Sequence, residues 1–275
     1  MWRPFRARER GGSRKVTGLA GFTYAQARLQ ARYGKRADAR VWVRLQNIHD
    51  LASYLQAAQQ TPLRPWVLGI GSTHSSHDIE LALRQRYRNH VDEVAGWLPR
   101  VWQAPLRWIS RLADLSMLQY LLAGGTPMDW MRSDPWINDF IDADPALRAL
   151  AMRKAGCESL VNAWQQGESM FKGWLLQWNE ARPVCRAYND GLRAMEQLLS
   201  AQLSRNAQQM AVAVSKDYAA EINELSVIFR RYALEPAGVC AYLAIVAVDL
   251  QHIRSDLIQR IFFQGDADHA EELPV

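Results

Sequence analysis

The sequence is poor in cysteine, and the few cysteines it has are far apart. There are three, Cys157, Cys185 and Cys240, and none forms a Cys-x-x-Cys pair with another. An odd number at this spacing argues against both a disulfide framework and a structural zinc site. We therefore expect a chain that works in a reducing cytosolic compartment.

Long apolar runs and strand-like patterns are also scarce. The longest apolar run, residues 239–248, is about half of the roughly 20 residues that a membrane-spanning helix needs. Asp249 follows it directly, and we interpret the run as part of a buried helix. Stretches of Val, Ile and Thr with period two are hard to find, whereas Leu, Ala, Gln and Arg are plentiful. The composition therefore predicts an all-α fold.

No sequence motif of a reaction centre is present. The loop Gly69-Ile70-Gly71 lacks the lysine and the further glycines of a nucleotide-binding loop. His74 and His77 are three residues apart, but no third or fourth metal ligand is predictable beside them. The pair Ser75 and Asp78 has the spacing of a helix capping box, which explains the segment more simply. We expect no catalytic residue, no cofactor and no metal site.

Charge is concentrated at the two ends of the chain. The net charge is +5, and residues 1–44 carry twelve Lys and Arg against two acids. We expect residues 1–21 to be a flexible basic arm and residues 265–275 an acidic tail. Such an arm attracts nucleic acid, anionic lipid or an acidic protein surface, unless it is only a solvated terminus. Its basic residues before the first predicted helix are Arg3, Arg6, Arg8, Arg10, Arg14 and Lys15.

Between the two ends, helical periodicity is clear. One stripe with a step of three or four residues follows the capping box, which predicts a long amphipathic helix. Its members are Ile79, Leu83, Tyr87, Val91, Val94 and Leu98. Further helices are predicted over residues 23–33, with Thr23 as N-cap, over 50–60 and over 105–123.

Prolines divide the helical pattern near the middle of the chain. Pro127, Pro135 and Pro145 fall within twenty residues of one another, and proline disfavours helix at the residue before it. We place a boundary here between a first helical repeat, residues 22–126, and a second helical portion, residues 127–264, which we expect to carry two motif helices.

A short sequence unit recurs three times along the chain. It consists of an acid, an aliphatic residue and a second aliphatic residue three positions later, and it begins at Asp114, Glu221 and Asp249. The spacing puts both aliphatic residues on one helical face. The leading acid is then either a charge favoured by the N-terminal end of a helix or a polar group that lines a binding socket. Repetition of helical units is typical of scaffold proteins.

These residues resemble the C/d subunit family of V-type and A-type rotary ATPases. The family's tyrosine-led helix and acid-Ile-x-Asn-Ile-Arg pattern resemble Tyr242 through Arg254, with His252 where asparagine is usual. Its Tyr-x-x-Ala-Arg opening resembles Tyr24 through Arg28, with Gln30 in place of a second arginine. Its Asp-Leu-x-Asn-Leu helix resembles Asp114 through Leu122.

The resemblance implies a funnel-like bundle of helical repeats, and the length of this chain implies an abbreviated middle repeat. It further implies a non-catalytic subunit on the cytoplasmic face of the membrane, held peripherally, that couples the central stalk to the rotor ring for proton or sodium ion transport. The partner-binding candidates are Arg28, Asp114, Glu221, Asp249 and Arg254. The alternative is a soluble helical adaptor, or a nucleic-acid-binding protein that uses the basic arm.

Overall fold

The computed structural model describes the backbone of residues 18–209 and 218–270, and the side chains of residues 21–202 and 218–262. Most of these residues are helical and no strand occurs among them, which confirms the all-α prediction. Three short 3₁₀ helices, Ile109–Asp114, Ile137–Phe140 and Arg186–Tyr188, interrupt the α-helices. The α-helices are α1 (Gly18–Gly34), α2 (Ala39–Gln46), α3 (Leu51–Gln59), α4 (Arg64–Val67), α5 (Ser76–Gly96), α6 (Arg100–Trp108), α7 (Leu115–Leu122), α8 (Asp129–Ser133), α9 (Pro145–Lys154), α10 (Glu158–Gln165), α11 (Met170–Ala181), α12 (Asn189–Gln209), α13 (Tyr218–Arg231) and α14 (Pro236–Ala270).

Several helices begin where a short polar side chain can bind the free N–H groups of the first turn. Asp50 caps α3, and Asp144 caps α9, whose first residue is Pro145. The predicted capping box is confirmed at α5, where Ser75 and Asp78 bind each other's backbone N–H groups. Each cap satisfies donors that the helix itself leaves unpaired, which is typically worth about 1 kcal/mol.

Helices α5 and α14 form the centre of the fold. The predicted stripe of α5 is buried along its whole length. Helix α14 packs against α1, α3, α5, α12 and α13, and Leu243, Ile245 and Ile253 are fully buried within it. The chain therefore returns at its end to cover the helices formed at its beginning.

A second group of helices packs on the outer side of α6 and α7. Helices α10 and α11 approach so closely that a Cβ at Gly173 would lie 2.5 Å from the backbone oxygen of Ser159, so only glycine fits there. Trp174 and Trp178 are fully buried and stack on each other. The indoles of Trp108 and Trp174 each donate to the other's backbone oxygen at 3.1 Å, which ties α6 to α11.

Two buried arginines bind carbonyl groups at the C-terminal ends of helices. Arg148 donates to the carbonyls of Leu121 and Gly125, just where α7 ends. Arg260 in α14 donates to the carbonyls of Leu45 and Ile48 at the end of α2. A guanidinium suits this position because it offers several donors and its charge complements the negative end of the helix dipole.

Two predicted helix boundaries are wrong. Thr23 is not an N-cap, because α1 begins at Gly18 and Thr23 lies inside it. The early turn is held by tertiary packing: Phe22 is buried and a Cβ at Gly21 would lie 2.5 Å from Pro99. The single helix predicted over residues 105–123 is instead α6, a 3₁₀ helix and α7 in succession.

The proline-containing middle, residues 126–144, contains only α8 and one 3₁₀ helix before α9 begins at Pro145, as the break in helical pattern predicts. It packs on the rest of the fold, since Met131, Asp134 and Phe140 are buried. The hydrophobic core is continuous from Phe22 to Leu257 and includes residues on both sides of this segment. The division into two helical portions stays a prediction.

Candidate partner-binding residues

Asp114 lies at the junction of a 3₁₀ helix with α7, and its side chain is 1% exposed. Arg84 Nη1 and Arg88 Nη2 donate to its Oδ1 at 2.8 and 2.9 Å. Arg111 Nη1 lies 3.5 Å from Oδ2, which is an ion pair too long for a good hydrogen bond. Three guanidinium groups therefore surround one buried carboxylate.

The Asp114 cluster belongs to a longer network of alternating charge. Arg88 also donates to both oxygens of Asp134 at 2.8 Å. At the other end, Arg84 binds Glu80, and Glu80 binds Arg254 of α14. The network thus joins α14, α5, the start of α7 and the segment after α8.

Two carboxylates of this network, Glu80 and Asp134, have lowered pKa values. Burial by itself would raise the pKa of Glu80, but the attraction of Arg84 and Arg254 outweighs it and lowers the pKa below its ordinary value. Burial likewise opposes ionisation of Asp134, whose pKa is nevertheless lowered by its hydrogen bonds with Arg88 and with backbone N–H groups. Both groups are therefore charged at neutral pH, as buried ion pairs require.

Asp249 occupies a second buried site, well inside α14. Arg36 holds it with two hydrogen bonds, Nε to Oδ2 and Nη2 to Oδ1, both 2.7 Å long. Tyr218 of α13 donates its hydroxyl to Oδ1 at 2.5 Å. The rings of Trp42 and His252 complete the site, with centroids 4.5 Å apart. Asp249 therefore ties the α1–α2 connection and α13 to α14.

This position corrects one interpretation of the acids that lead the repeated unit. Asp249 is not near the beginning of its helix, so the helix dipole does not explain it. Asp114 stands just before α7 but makes no capping hydrogen bond. Glu221 does lie in the first turn of α13, where a negative charge is favoured. It is partly buried.

The remaining two candidates are more exposed. The side chain of Arg254 is 46% exposed although it pairs with Glu80. Arg28 is exposed on α1, with its Cζ 4.5 Å from the ring centroid of Trp97 and 5.3 Å from that of Tyr24. The structure therefore separates the candidates: Asp114 and Asp249 are inside, whereas Arg28 and Arg254 face solvent.

The glycine loop and the two histidines have local roles. The N–H of Gly71 donates to Nδ1 of His74 at 2.9 Å, and His77 stacks on Trp130. Within residues 21–202 and 218–262, no group of three His, Cys, Asp or Glu side chains is arranged to hold a metal ion. The basic residues Arg3, Arg6, Arg8, Arg10, Arg14 and Lys15 lie outside the described residues.

Helix α14 is also the segment with the most membrane-like composition. Residues Pro236–Phe262 are long and apolar enough to cross a membrane by length and composition, with mean hydropathy 1.4. However, 72% of the apolar window is buried inside the fold, and core helices pass the same test. The expectation from sequence weighed only the uninterrupted apolar run before Asp249, whereas the apolar stretch with sufficient mean hydropathy continues to Phe262.

Sequence reasoning also missed the arginines that bind the motif acids. Glu80, Arg84 and Arg88 are four residues apart and lie on one face of α5. That spacing is a recognisable signal for helical ion pairs. Arg36 offered no such signal, because its partner Asp249 is 213 positions away.

No family model, curated protein or solved structure matches the chain.

Proposed function

We propose that this chain is a non-catalytic connector of a rotary ATPase, related to the C/d subunits, that couples the central stalk to the membrane rotor ring during proton or sodium ion transport. Such a part needs a stiff body and two protein-binding surfaces, and it needs no reaction centre. In the proposed assembly the chain is peripheral, on the cytoplasmic side of the membrane, and forms a funnel of helical repeats.

One observation carries the proposal: the residues that resemble the family also tie the two ends of the fold together. Arg36 and Tyr218 bind Asp249, and Arg254 binds Glu80 across 174 positions of sequence. Tyr33 at the end of α1 adds a hydroxyl contact to Ser226 of α13 at 2.8 Å. Torque passes through a body without loss only if its ends cannot move independently, so cross-links of this kind support the proposed role.

The buried position of α14 supports a peripheral subunit better than an inserted one. Buried Asp249, Asp256 and Arg260 are arranged along α14. Charged side chains of this kind have a high free-energy cost in the interior of a lipid bilayer when they have no partner. Here each contacts a protein group: Asp249 binds Arg36, Asp256 binds Tyr54, and Arg260 binds helix carbonyls. The helix thus has its polar partners within the fold.

The test is membrane fractionation with and without the rotor-ring and stalk subunits of the host's rotary ATPase. We expect the full-length protein to pellet with membranes when the ring is present and to remain largely soluble without it. Pelleting that survives high salt and carbonate in the absence of the ring would contradict the proposal, because it would mean direct insertion.

Absence of association in both cases would also contradict the proposal, and would favour the soluble adaptor. Binding to DNA or RNA that falls steeply with salt, and that is lost when residues 1–17 are deleted, would favour the nucleic-acid alternative. The deletion leaves the described helices intact, since α1 begins at Gly18.

A further inference from the structure

The exposed surface around Trp97 has the composition of a protein-binding site. Tyr24 is 57% exposed and Arg28 is exposed beside it, both on α1. Trp97, at the end of α5, is partly exposed, and Val101 of α6 is 53% exposed. We call Tyr24, Arg28, Trp97 and Val101 the Trp97 patch. Tyrosine, tryptophan and arginine are the residues that contribute most often to binding energy at interfaces.

The elements that carry the patch are packed rigidly together. Gly21 of α1 lies directly against the ring of Pro99, which joins Trp97 to Val101 along the chain. Buried Phe22 contacts Trp102 edge to face, with ring centroids 6.2 Å apart. The exposed side chains therefore project from fixed backbone positions.

Two arginines lie over Trp97, and they differ in one respect. Arg32, with its Cζ 4.7 Å from the ring centroid, donates two hydrogen bonds to Glu93, at 2.7 and 3.0 Å. Arg28 lies at a similar height over the same ring but contacts no carboxylate directly among the described residues; its Nη1 donates to the hydroxyl of Tyr24. The pair of Arg32 with Glu93 shows that an arginine over Trp97 can bind both oxygens of a carboxylate.

The contacts of Arg28 with the rings of Tyr24 and Trp97 favour binding of a planar group such as a carboxylate. Contact with two aromatic rings restricts the side chain, so less conformational entropy remains to be lost on binding. The guanidinium then presents N–H groups in a fixed fork that fits both oxygens of a carboxylate. Tyr24 and Val101 supply exposed apolar surface.

The charges around the patch favour a carboxylate over a polyanion. Glu93, which pairs with the Arg32 that lies over Trp97, is 45% exposed, and the preceding Asp92 is 59% exposed. A row of phosphates, on nucleic acid or on a lipid surface, would meet these negative charges. A single carboxylate on an apolar protein surface would not need to approach them.

We propose that the Trp97 patch binds an acidic protein segment, in which a glutamate or aspartate pairs with Arg28 and an adjacent apolar side chain packs on Tyr24 and Val101. This inference does not depend on the rotary ATPase, since a soluble adaptor would use the same surface.

The test uses full-length protein and a synthetic amphipathic helical peptide that carries glutamate and leucine on one face. Binding is followed by NMR through the indole N–H of Trp97, identified by its loss in Trp97→Phe. We expect Arg28→Ala to weaken binding at least about fivefold, as for an interfacial arginine. Arg28→Lys is expected to weaken it nearly as much, because lysine lacks the planar fork.

The matched control is Arg44→Ala, which removes the same charge from an exposed position on α2 and is expected to change affinity by less than about twofold. Equal losses for Arg28→Ala and Arg44→Ala would overturn the proposal. So would equal binding of a peptide with glutamine in place of glutamate, or tighter Arg28-dependent binding to duplex DNA or to phosphatidylglycerol vesicles.

Discussion

The Asp114 cluster and the Trp97 patch are two arginine-rich regions with opposite surroundings. In the first, three guanidiniums converge on a carboxylate that is 1% exposed, and every element they come from is thereby fixed. In the second, two arginines lie on an aromatic ring at the surface, and one of them, Arg28, is exposed and contacts no carboxylate directly among the described residues. The same residue type stabilises the fold where it is buried and is available for recognition where it is exposed.

This difference changes how the recurring motif is interpreted. From the sequence alone, the acid that leads each motif could lie at a helix end or line a binding socket. The structure gives Asp114 and Asp249 arginine partners elsewhere in the fold, and both side chains are buried. Of the motif residues that resemble the family, Arg28 is the one whose surroundings favour binding.

The largest effect is expected from Asp114→Asn. The amide keeps the shape but removes the charge, which leaves Arg84, Arg88 and Arg111 close together without their shared counter-ion. We expect a loss of about 3–5 kcal/mol in the free energy of unfolding, as is typical when one partner of a buried ion pair is removed. Denaturation by urea, monitored by circular dichroism, measures it.

The control for that variant is Asp92→Asn. Its partner is Arg107, and both side chains are about half exposed, at 59% and 46%. Solvent screening makes such a pair worth about 0.5 kcal/mol or less. Similar losses for the two variants would mean that burial does not distinguish these pairs.

Acidification should destabilise the protein through His90. Burial lowers the pKa of His90 to about 4, with a further contribution from Arg32 that Glu93 partly opposes. The unfolded histidine, with a pKa near 6.5, takes up a proton that the folded one does not, so stability is present above that pH and falls below it. We expect a loss of about 2 kcal/mol between pH 7 and pH 4.5.

His90→Phe isolates that contribution. Phenylalanine retains the ring contacts that His90 makes with Trp66 and Tyr242, but it cannot bind a proton. The free energy of unfolding of this variant should fall clearly less over the same pH range. The fall that remains comes from carboxylates such as Glu80 and Asp134, whose lowered pKa values also make stability decrease on acidification. An unchanged slope would assign the acid sensitivity to other groups.

The smallest effect is expected from Arg254→Ala. Its guanidinium is half exposed, and Glu80 retains Arg84 as a second partner. We expect a loss of about 0.5–1 kcal/mol in the free energy of unfolding. Urea denaturation at low and high salt checks it, since screening should reduce the difference between variant and wild type.

Local features of this fold could be predicted from the sequence, whereas its long-range ion pairs could not. The stripe of α5 and the capping box at Ser75 depend on residues a few positions apart, and both predictions are confirmed. The start of α1 depends on packing of Gly21 against Pro99, which no local pattern reveals. The pairing of Asp249 with Arg36 could not be predicted, because the two residues are 213 positions apart and become neighbours only once the chain has folded.

The central claim is that the buried motif acid Asp249 stabilises the fold whereas the exposed motif residue Arg28 binds a partner. It is tested most directly by measuring unfolding and acidic-peptide binding side by side for Asp249→Asn and Arg28→Ala. We expect Asp249→Asn to lose about 2–4 kcal/mol of stability and, while folded, to bind the peptide as the wild type does. Arg28→Ala should show the reverse, near-native stability with weakened binding. An Asp249→Asn protein of unchanged stability that no longer binds would contradict the account.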